Sequence, residues 1–325
     1  AAGPLFVVVE DEAAAQATAA DAAFFLGLPP GGREGGPVLV IPEDDTSPYG
    51  DAAADPRVVA QRLGALFRLG EAGEGAPRLI VASVGALARK VIPPAAFRGL
   101  CQRWARGDLC ELGEAVRYLE RAGYRRVDVV EDPGTYAVRG GVVDVFPALT
   151  RFPVRVELFG DEVERLRHFD PDTQRGLREV EAVDLHPVRE AVPSAAAPLR
   201  AAVLALADAT LVPSSKTRQV LENLEQGLDF FGIEALTPLF HGGLAPLWDY
   251  LPQGTRWFVD DPERLGELAR AAAEARAEEH ARAREAKALC APPEGFFVGG
   301  EALAGRLAAC PVVSSGLDLY DPLAP

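Results

Sequence analysis

The sequence contains no methionine, and only four of its 325 residues are cysteine and four histidine. No two cysteines have CxxC spacing and no histidines have HExxH spacing, so neither a structural metal site nor a disulfide framework is expected. The four thiols are predicted to be free and buried. No segment approaches the roughly 20 apolar residues that span a bilayer, and no basic region followed by an apolar stretch opens the chain. These absences favour a soluble, cytoplasmic protein without membrane contact.

A glycine-rich phosphate loop is also missing. Residues 213–218, PSSKTR, have the lysine and threonine of such a loop without the glycines before them, so a capped helix start is the favoured interpretation. GGREGG, residues 31–36, precedes a strand instead of following one and is interpreted as a surface turn. With no GxSxG turn and no spaced histidine–acid pair, the motifs predict no catalytic residue and no cofactor site.

One strand end has the appearance of a magnesium site. The run LFVVVEDE, residues 5–12, ends in acidic residues, as the magnesium-binding strand of nucleotide hydrolases does. Asp11 and Glu12 would then be metal ligands. Because no phosphate cradle accompanies them, the favoured interpretation is the end of a strand followed by the acidic first turn of a helix.

The charge balance excludes one class of partner. The net charge is -15, with 48% hydrophobic and 25% charged residues, which is globular composition on an acidic surface that repels phosphate backbones. Direct, non-specific DNA binding by this chain is therefore not expected. The length predicts two or three packed units.

The periodicity predicts an α/β unit at each end of the chain and an α+β unit between them. In residues 1–100, apolar strands at 5–9, 37–42 and 78–83 alternate with helices at 12–26 and 56–69, which is typical of a parallel sheet. In residues 101–187, a helix at 112–122 ending at Gly123 precedes antiparallel strands within 124–134, 136–147 and 152–160. In residues 188–325, strands are expected at 208–214, 255–261 and 294–300, and helices at 214–227 and 262–289.

The middle unit contains the candidate binding residues. YAVRGGVVDVFP, residues 136–147, is interpreted as one strand in which Arg139 shares a face with later valines and the two glycines permit close approach of another backbone. In PVRVELF, residues 153–159, Arg155 and Phe159 project from the face opposite the valines. An aromatic ring beside an arginine is favoured at protein–protein hot spots. The alternative is that Arg139 and Arg155 pair with Asp144 or Glu157.

The local charge agrees with either interpretation. From residue 136 to residue 178 there are seven arginines and seven acidic residues, so this region is neutral within an acidic chain. A less acidic face is suited to an acidic partner.

The sequence resembles a known family at these same residues. AGYRRVDVVEDPGTYAVRGGVVDVFP, PVRVELFGDEVERLRHFDPDTQR, PSSKTRQVLENLEQGLDFFGIEALTPLF and LAPLWDYLP occur in this order. Together they are similar to the amino-terminal module of bacterial transcription-repair coupling factors, the Mfd family, and that module is itself similar to UvrB. The resemblance covers nearly the whole chain and is densest from Gly123 to Arg175.

The resemblance implies a fold, a partner and a set of contact residues. The fold is a degenerate P-loop-NTPase-like, UvrB-like parallel-sheet domain in two halves, 1A (1–100) and 1B (188–325), with an inserted α+β domain 2 (101–187). Domain 2 of the family docks onto UvrA, and the matching contact positions are Arg139, Arg155 and Phe159. RNA polymerase, double-stranded DNA, ATP and magnesium are bound by other domains of the full-length relatives, and a monomer is expected.

The resemblance also defines the function and its rivals. The leading hypothesis is a non-catalytic adaptor that recruits UvrA to RNA polymerase stalled at DNA damage. The first rival is an active UvrB-type ATPase, although the phosphate loop, acidic ATPase motif and damage-probing hairpin of UvrB have no counterpart in this sequence. The second rival is an unrelated α/β enzyme with a small ligand in a buried polar pocket.

Overall fold

The computed structural model describes residues 3–28, 36–44, 46–71, 76–148, 150–192, 198–228 and 230–310, and the backbone of 313–314. The predicted GGREGG turn, apart from its last glycine, lies outside these residues. Within the described residues, no helix combines the length and the hydropathy needed to cross a membrane.

The secondary structure falls into three stretches. The first contains β1 (Leu5–Val9), α1 (Glu12–Phe25), β2 (Val38–Ile41), α2 (Pro56–Leu69), β3 (Leu79–Ser83), α3 (Val84–Ala88) and α4 (Pro94–Leu100). The second contains β4 (Gln102–Ala105), α5 (Leu112–Arg121), β5 (Arg125–Arg126), β6 (Thr135–Arg139), β7 (Val142–Phe146), β8 (Val154–Phe159), β9 (Glu162–Phe169), β10 (Gly176–Val180) and β11 (Ala182–Leu185). The third contains α6 (Leu199–Thr210), α7 (Ser214–Glu225), α8 (Thr237–Phe240), β12 (Arg256–Asp260), α9 (Pro262–Glu285), α10 (Pro293–Phe296), α11 (Gly300–Ala308) and β13 (Val313–Ser314), with 3-10 turns at Ile233–Leu236 and Leu247–Tyr250.

Strands from both ends of the chain form one parallel sheet. Its order is β12-β1-β3-β2, with the short β13 beside β12, and β1 pairs with β12 in the register Phe6 to Trp257. Alternate residues of β1 enter two different apolar layers: Phe6 belongs to the larger one and Val7 to the layer under α1. Burial on both faces is the reason that β1 is apolar at every position.

The inserted stretch forms a second, mixed sheet. Its order is β10-β9-β8-β7-β6-β5, antiparallel except for the parallel pair β5–β6. One face packs against α5, where Tyr118 and Leu119 meet the valines of the central strands. The opposite face carries a small apolar cluster that includes Ala137, Phe146 and Phe169 near one end of the strands. The predicted combination of a parallel α/β sheet and an inserted sheet is confirmed.

Several local predictions are also confirmed. The helices predicted at 56–69 and 112–122 form close to the expected bounds, and Gly123 has a φ of 92° beyond the end of the second one. Asp11 caps α1 by accepting a hydrogen bond from the amide of Ala14 at 2.8 Å. Glu12 accepts one from the amide of Glu43 at 2.9 Å, so the strand-end interpretation of these carboxylates is the one observed.

Other local predictions are wrong. The strand predicted at 208–214 is not formed: these residues contain the end of α6, a turn and the first residue of α7. The alanine-rich run from residue 199 has high helix propensity. The strand predicted at 294–300 begins as α10, which starts at a proline that suits the first helical position. Residues 124–134 contribute only the two-residue β5. The helix start at PSSKTR forms, but Pro213 occupies the cap position and no side chain caps it.

The four cysteines are free, as predicted, but only two of them are fully buried. Cys110 and Cys290 are buried, whereas Cys101 and Cys310 are half-buried. Burial raises the pKa of all four thiols, which disfavours the reactive thiolate.

Candidate partner-binding surface

The segment YAVRGGVVDVFP is a hairpin, not the single strand that its β propensity predicted. Arg139 ends β6 and pairs with Val142, the first residue of β7. Gly140, with a φ of 62°, and Gly141 form the two-residue turn between them. The turn reverses the chain, so Arg139 lies on the face of Asp144, and the predicted face shared with Val143 and Val145 is wrong.

Gly141 brings this turn against the neighbouring hairpin. The amide of Leu158 donates a hydrogen bond to the carbonyl oxygen of Gly141 at 2.8 Å. A Cβ atom at Gly141 would lie 3.0 Å from the carbonyl oxygen of Leu158. The prediction that a glycine here permits close backbone approach is therefore confirmed for Gly141.

Phe159 ends β8 at the tip of that second hairpin. It pairs with Glu162 across a two-residue turn in which Gly160 has a φ of 62°. A register shift between Glu157 and Leu158 marks a bulge near the tip, and Phe159 is 78% exposed. The two tips lie at the same end of the strands. The structure therefore brings Arg139 and Phe159 to one end of the sheet, the hairpin-tip surface.

The Arg139 side chain is exposed and makes one hydrogen bond within the described residues. Its Nη2 donates a hydrogen bond to the backbone carbonyl oxygen of Asp128 at 2.5 Å. Among the described residues it forms no ion pair. Its remaining N–H groups are therefore available to a carboxylate or carbonyl group of another molecule.

Arg155 lies in a different environment. Its Nε and Nη2 donate to the two carboxylate oxygens of Asp144 at 2.7 and 2.8 Å, and its guanidinium stacks over the ring of Phe169 at 4.7 Å. The side chain is 17% exposed and that of Asp144 is 4% exposed. The hydrogen bonds with Asp144 raise the pKa of Arg155. The ion-pair alternative is thus what the structure has for Arg155, and not for Arg139.

Ion pairs also occupy the same face of the sheet on the strands beyond β7. Arg167 pairs with Glu157 at 2.5 Å, and Arg165 pairs with Glu179 at 3.1 Å. These partly exposed pairs contribute little to stability. They leave Arg139 as the cation at the hairpin tips that has no carboxylate partner in the described part of the chain.

A second charged cluster lies deep in the molecule and was not predicted. Arg62 and Arg89 alternate with Asp44 and Glu190, with nitrogen–oxygen distances of 2.9 Å for Arg62–Glu190, 2.8 Å for Arg89–Asp44 and 3.1 Å for Arg89–Glu190. Burial opposes ionisation of Glu190, but the charges of Arg62 and Arg89 outweigh burial and lower its pKa. Burial lowers the pKa of Arg62. No sequence spacing relates residues so far apart along the chain.

This buried cluster forms one wall of a cavity of about 500 Å³ that is lined by residues from all three stretches of the fold. The size falls within the range of small-ligand sites. Each carboxylate of the cluster contacts both guanidinium groups, so the charges neutralise one another and hold residues 44, 62, 89 and 190 together. The cluster is best explained as a junction between units of the fold.

Comparison with known proteins identifies the domain that contains the inserted sheet. Residues 103–190 match the family model described as the UvrB interaction domain, and this range includes every strand of the inserted sheet. The chain therefore belongs to the class of proteins that carry this domain.

Similarity over longer segments defines the family. The chain is 39% identical over 320 residues to the transcription-repair-coupling factor of Myxococcus xanthus, which is 96% of this chain and 26% of that protein. It is 31% identical over 219 residues to the transcription-repair-coupling factor of Escherichia coli, which is 67% of this chain and 19% of that protein. It is also 30% identical over 250 residues to the UvrABC system protein B of Colwellia psychrerythraea, which is 69% of this chain and 36% of that protein.

The chain is homologous to the amino-terminal region of transcription-repair-coupling factors and belongs to that family. It spans 26% and 19% of the lengths of two of these curated relatives.

Proposed function

We propose that this chain is a non-catalytic adaptor that recruits UvrA to RNA polymerase stalled at DNA damage, in transcription-coupled nucleotide excision repair. Family membership and the match to the UvrB interaction domain support a role in this repair process. The observation that carries the proposal is that Phe159, which is 78% exposed, lies at the same end of the inserted sheet as Arg139, on the sheet that this domain model covers.

The two tip residues supply complementary interactions. Burial of the Phe159 ring against UvrA removes apolar surface from water, and truncating a central aromatic contact commonly costs about 2 kcal/mol of binding free energy. Arg139 adds charge-assisted hydrogen bonds to a carboxylate or carbonyl group of UvrA. Its single hydrogen bond, to the backbone carbonyl oxygen of Asp128, holds the side chain without neutralising its charge.

Arg155 has a smaller direct role in this proposal. Its pair with Asp144 uses Nε and Nη2, so a contact with UvrA is made by the remaining nitrogen, Nη1. The pair also holds β7 against β8 behind the tips, because Asp144 and Arg155 are directly opposed on these strands. Arg155 thus supports the hairpin-tip surface and contributes at its margin.

The rest of the chain serves as the platform. We assign residues 1–100 to domain 1A, 101–187 to domain 2 and 188–325 to domain 1B, the two halves of a degenerate UvrB-like nucleoside triphosphatase fold. The pairing of β1 with β12 across more than half of the sequence supports this division. ATP, magnesium, RNA polymerase and duplex DNA are then bound by the parts of the full-length protein beyond this chain, and this module is a cytoplasmic monomer.

The test is co-migration with purified UvrA on a sizing column. The wild-type chain and Phe25→Ala, a matched control at an 84% exposed phenylalanine on α1, are expected to shift with UvrA. The double variant Arg139→Ala, Phe159→Ala is expected not to shift while its melting temperature stays within about 2 °C of wild type, because both side chains are exposed. Equal co-migration of the double variant would refute the site, and ATP hydrolysis by the isolated chain would favour the ATPase rival.

A further inference from the structure

A short segment before α5 extends the inserted sheet beyond the second hairpin tip. Leu109 forms an antiparallel bridge with Glu162. The bridge is flanked by two hydrogen bonds, from the amide of Cys110 to the carbonyl oxygen of Asp161 at 2.7 Å and from the amide of Val163 to that of Asp108 at 2.9 Å. Leu109 therefore has a fixed register on β9 and is not at the end of a loose loop.

This register places two apolar side chains on either side of one carboxylate. Glu162 pairs with Leu109 on one side and with Phe159 on the other. Directly opposed residues of antiparallel strands project from the same face. Because neighbouring strands are about 4.8 Å apart, the backbones of Leu109 and Phe159 lie about 10 Å apart with Glu162 between them.

The Leu109 side chain has no role in the core. It is 88% exposed, the largest exposed fraction among the large apolar side chains of the described residues. The next residue, Cys110, is buried in the cluster beneath the sheet, and the alternation of an extended segment directs Leu109 outward. Single exposed leucines are ordinary, but this one continues the row that begins with Phe159.

Glu162 is also free to interact. Its side chain is exposed and makes no ion pair or side-chain hydrogen bond within the described residues. The two arginines that follow it on β9, Arg165 and Arg167, are held by Glu179 and Glu157. A partner that covers Phe159 and Leu109 would remove this carboxylate from water, which requires a positively charged or N–H donor group opposite it.

We propose that Leu109 is a second apolar anchor for UvrA and that Glu162 receives a cationic or N–H group of UvrA between the two anchors. This inference rests on the proposed function, since it extends the same surface toward the same partner. It requires a patch on UvrA with two apolar contacts about 10 Å apart, one for Phe159 and one for Leu109. Between them the patch must carry an N–H donor or a cation for Glu162. The same surface of UvrA must also carry a hydrogen-bond acceptor for Arg139. A complementary arrangement of this kind fixes the register of docking as well as its affinity.

The test is calorimetric titration of UvrA with the whole chain and its variants. Leu109→Ala is expected to weaken binding about tenfold, the effect of losing a central apolar contact. Leu177→Ala is the matched control, since Leu177 is a 50% exposed leucine on β10 of the same sheet, and its affinity should stay within about twofold of wild type. Leu109→Met keeps the anchor apolar and should retain most of the affinity. Glu162→Lys should weaken binding more than Glu162→Gln does.

The outcomes separate this inference from the proposed function. If Phe159→Ala weakens binding and Leu109→Ala does not, the Leu109 anchor is overturned and the proposed function stands. If the wild-type chain fails to bind UvrA, both are overturned. The melting temperature of Leu109→Ala should match that of wild type because the side chain is exposed, so a loss of affinity with an unchanged melting temperature supports the anchor.

Discussion

Removal of the Arg155 guanidinium should destabilise the inserted sheet, whatever its effect on a partner. Arg155→Ala deletes two hydrogen bonds to Asp144 and leaves that carboxylate, 4% exposed, without its cation. Breaking a buried pair in this way costs about 3 to 5 kcal/mol. Because Arg155 itself is 17% exposed, water can reach part of the space it leaves, and a loss of about 3 kcal/mol is expected.

The assay is differential scanning calorimetry of wild type and variants. A loss of about 3 kcal/mol should lower the melting temperature of the unit by about 6 °C or more. Arg155→Lys retains the positive charge but not the bidentate geometry, so its melting temperature should lie between those of wild type and Arg155→Ala. Replacing both partners by apolar residues, Asp144→Leu with Arg155→Met, should recover most of the stability.

An unchanged melting temperature for Arg155→Ala would refute this reasoning. It would mean that the pair with Asp144 is weak and that Arg155 is available to UvrA as freely as Arg139 is. The predicted destabilisation also affects binding assays. A loss of UvrA binding by Arg155→Ala would combine two causes, the loss of a contact with UvrA and the destabilisation of the inserted sheet. Arg139 and Phe159 are the cleaner probes of the hairpin-tip surface.

Three further predictions concern the turn, the buried cluster and the response to acid. Gly140→Ala should lower the free energy of unfolding by about 1 kcal/mol because the φ of 62° is unfavourable for alanine. Gly140→Asn should lose less stability than Gly140→Ala. Equal stability of wild type and both variants in urea titrations would contradict this prediction. Glu190→Gln should cost about 3 kcal/mol by leaving Arg62 and Arg89 with one carboxylate, measured as a lower melting temperature, and no change would show that the cluster is not a junction. His186 and His241 have pKa values lowered by burial, so the unfolded chain binds more protons than the folded chain below about pH 6.5 and stability should fall from pH 7 to pH 5. This loss of stability should be smaller in the double variant His186→Gln, His241→Gln. An equal loss in wild type and the double variant would contradict the assignment of the pH dependence to these two histidines.

The sequence pattern predicted the architecture well where periodicity alone decides it. The apolar strands at 5–9 and 78–83 and the amphipathic helix at 56–69 formed as expected, since each buries surface according to its own spacing. The strand predicted at 208–214 was wrong because these seven residues include only the last turn of α6, which is too short to reveal a helical spacing. The buried residues Val203, Ala207 and Thr210 follow the helical spacing of three to four.

The hairpin at YAVRGGVVDVFP left a readable signal. In β6 the core-facing residues Tyr136 and Val138 have even numbers, whereas in β7 the core-facing residues Val143 and Val145 have odd numbers. A continuous strand keeps one parity, so the change indicates a two-residue reversal at the glycine pair. The same reversal decides which face Arg139 occupies.

Other features had no local signal. The pairing of Arg62 and Arg89 with Asp44 and Glu190 depends on how three stretches of chain pack together. The bridge from Leu109 to Glu162 likewise joins residues separated by the whole of α5 and four strands. Ion pairs and bridges of this kind follow from tertiary structure and not from spacing along the chain.

The most direct test of the central claim is photocrosslinking at the hairpin tips. A photoreactive phenylalanine analogue placed at position 159 should crosslink to purified UvrA, and the same analogue placed at position 25, an equally exposed phenylalanine on α1, should not. Reaction with UvrA at position 159 alone is the predicted result. Equal reaction at both positions, or reaction at position 25 alone, would contradict the claim that this chain recruits UvrA through the hairpin-tip surface.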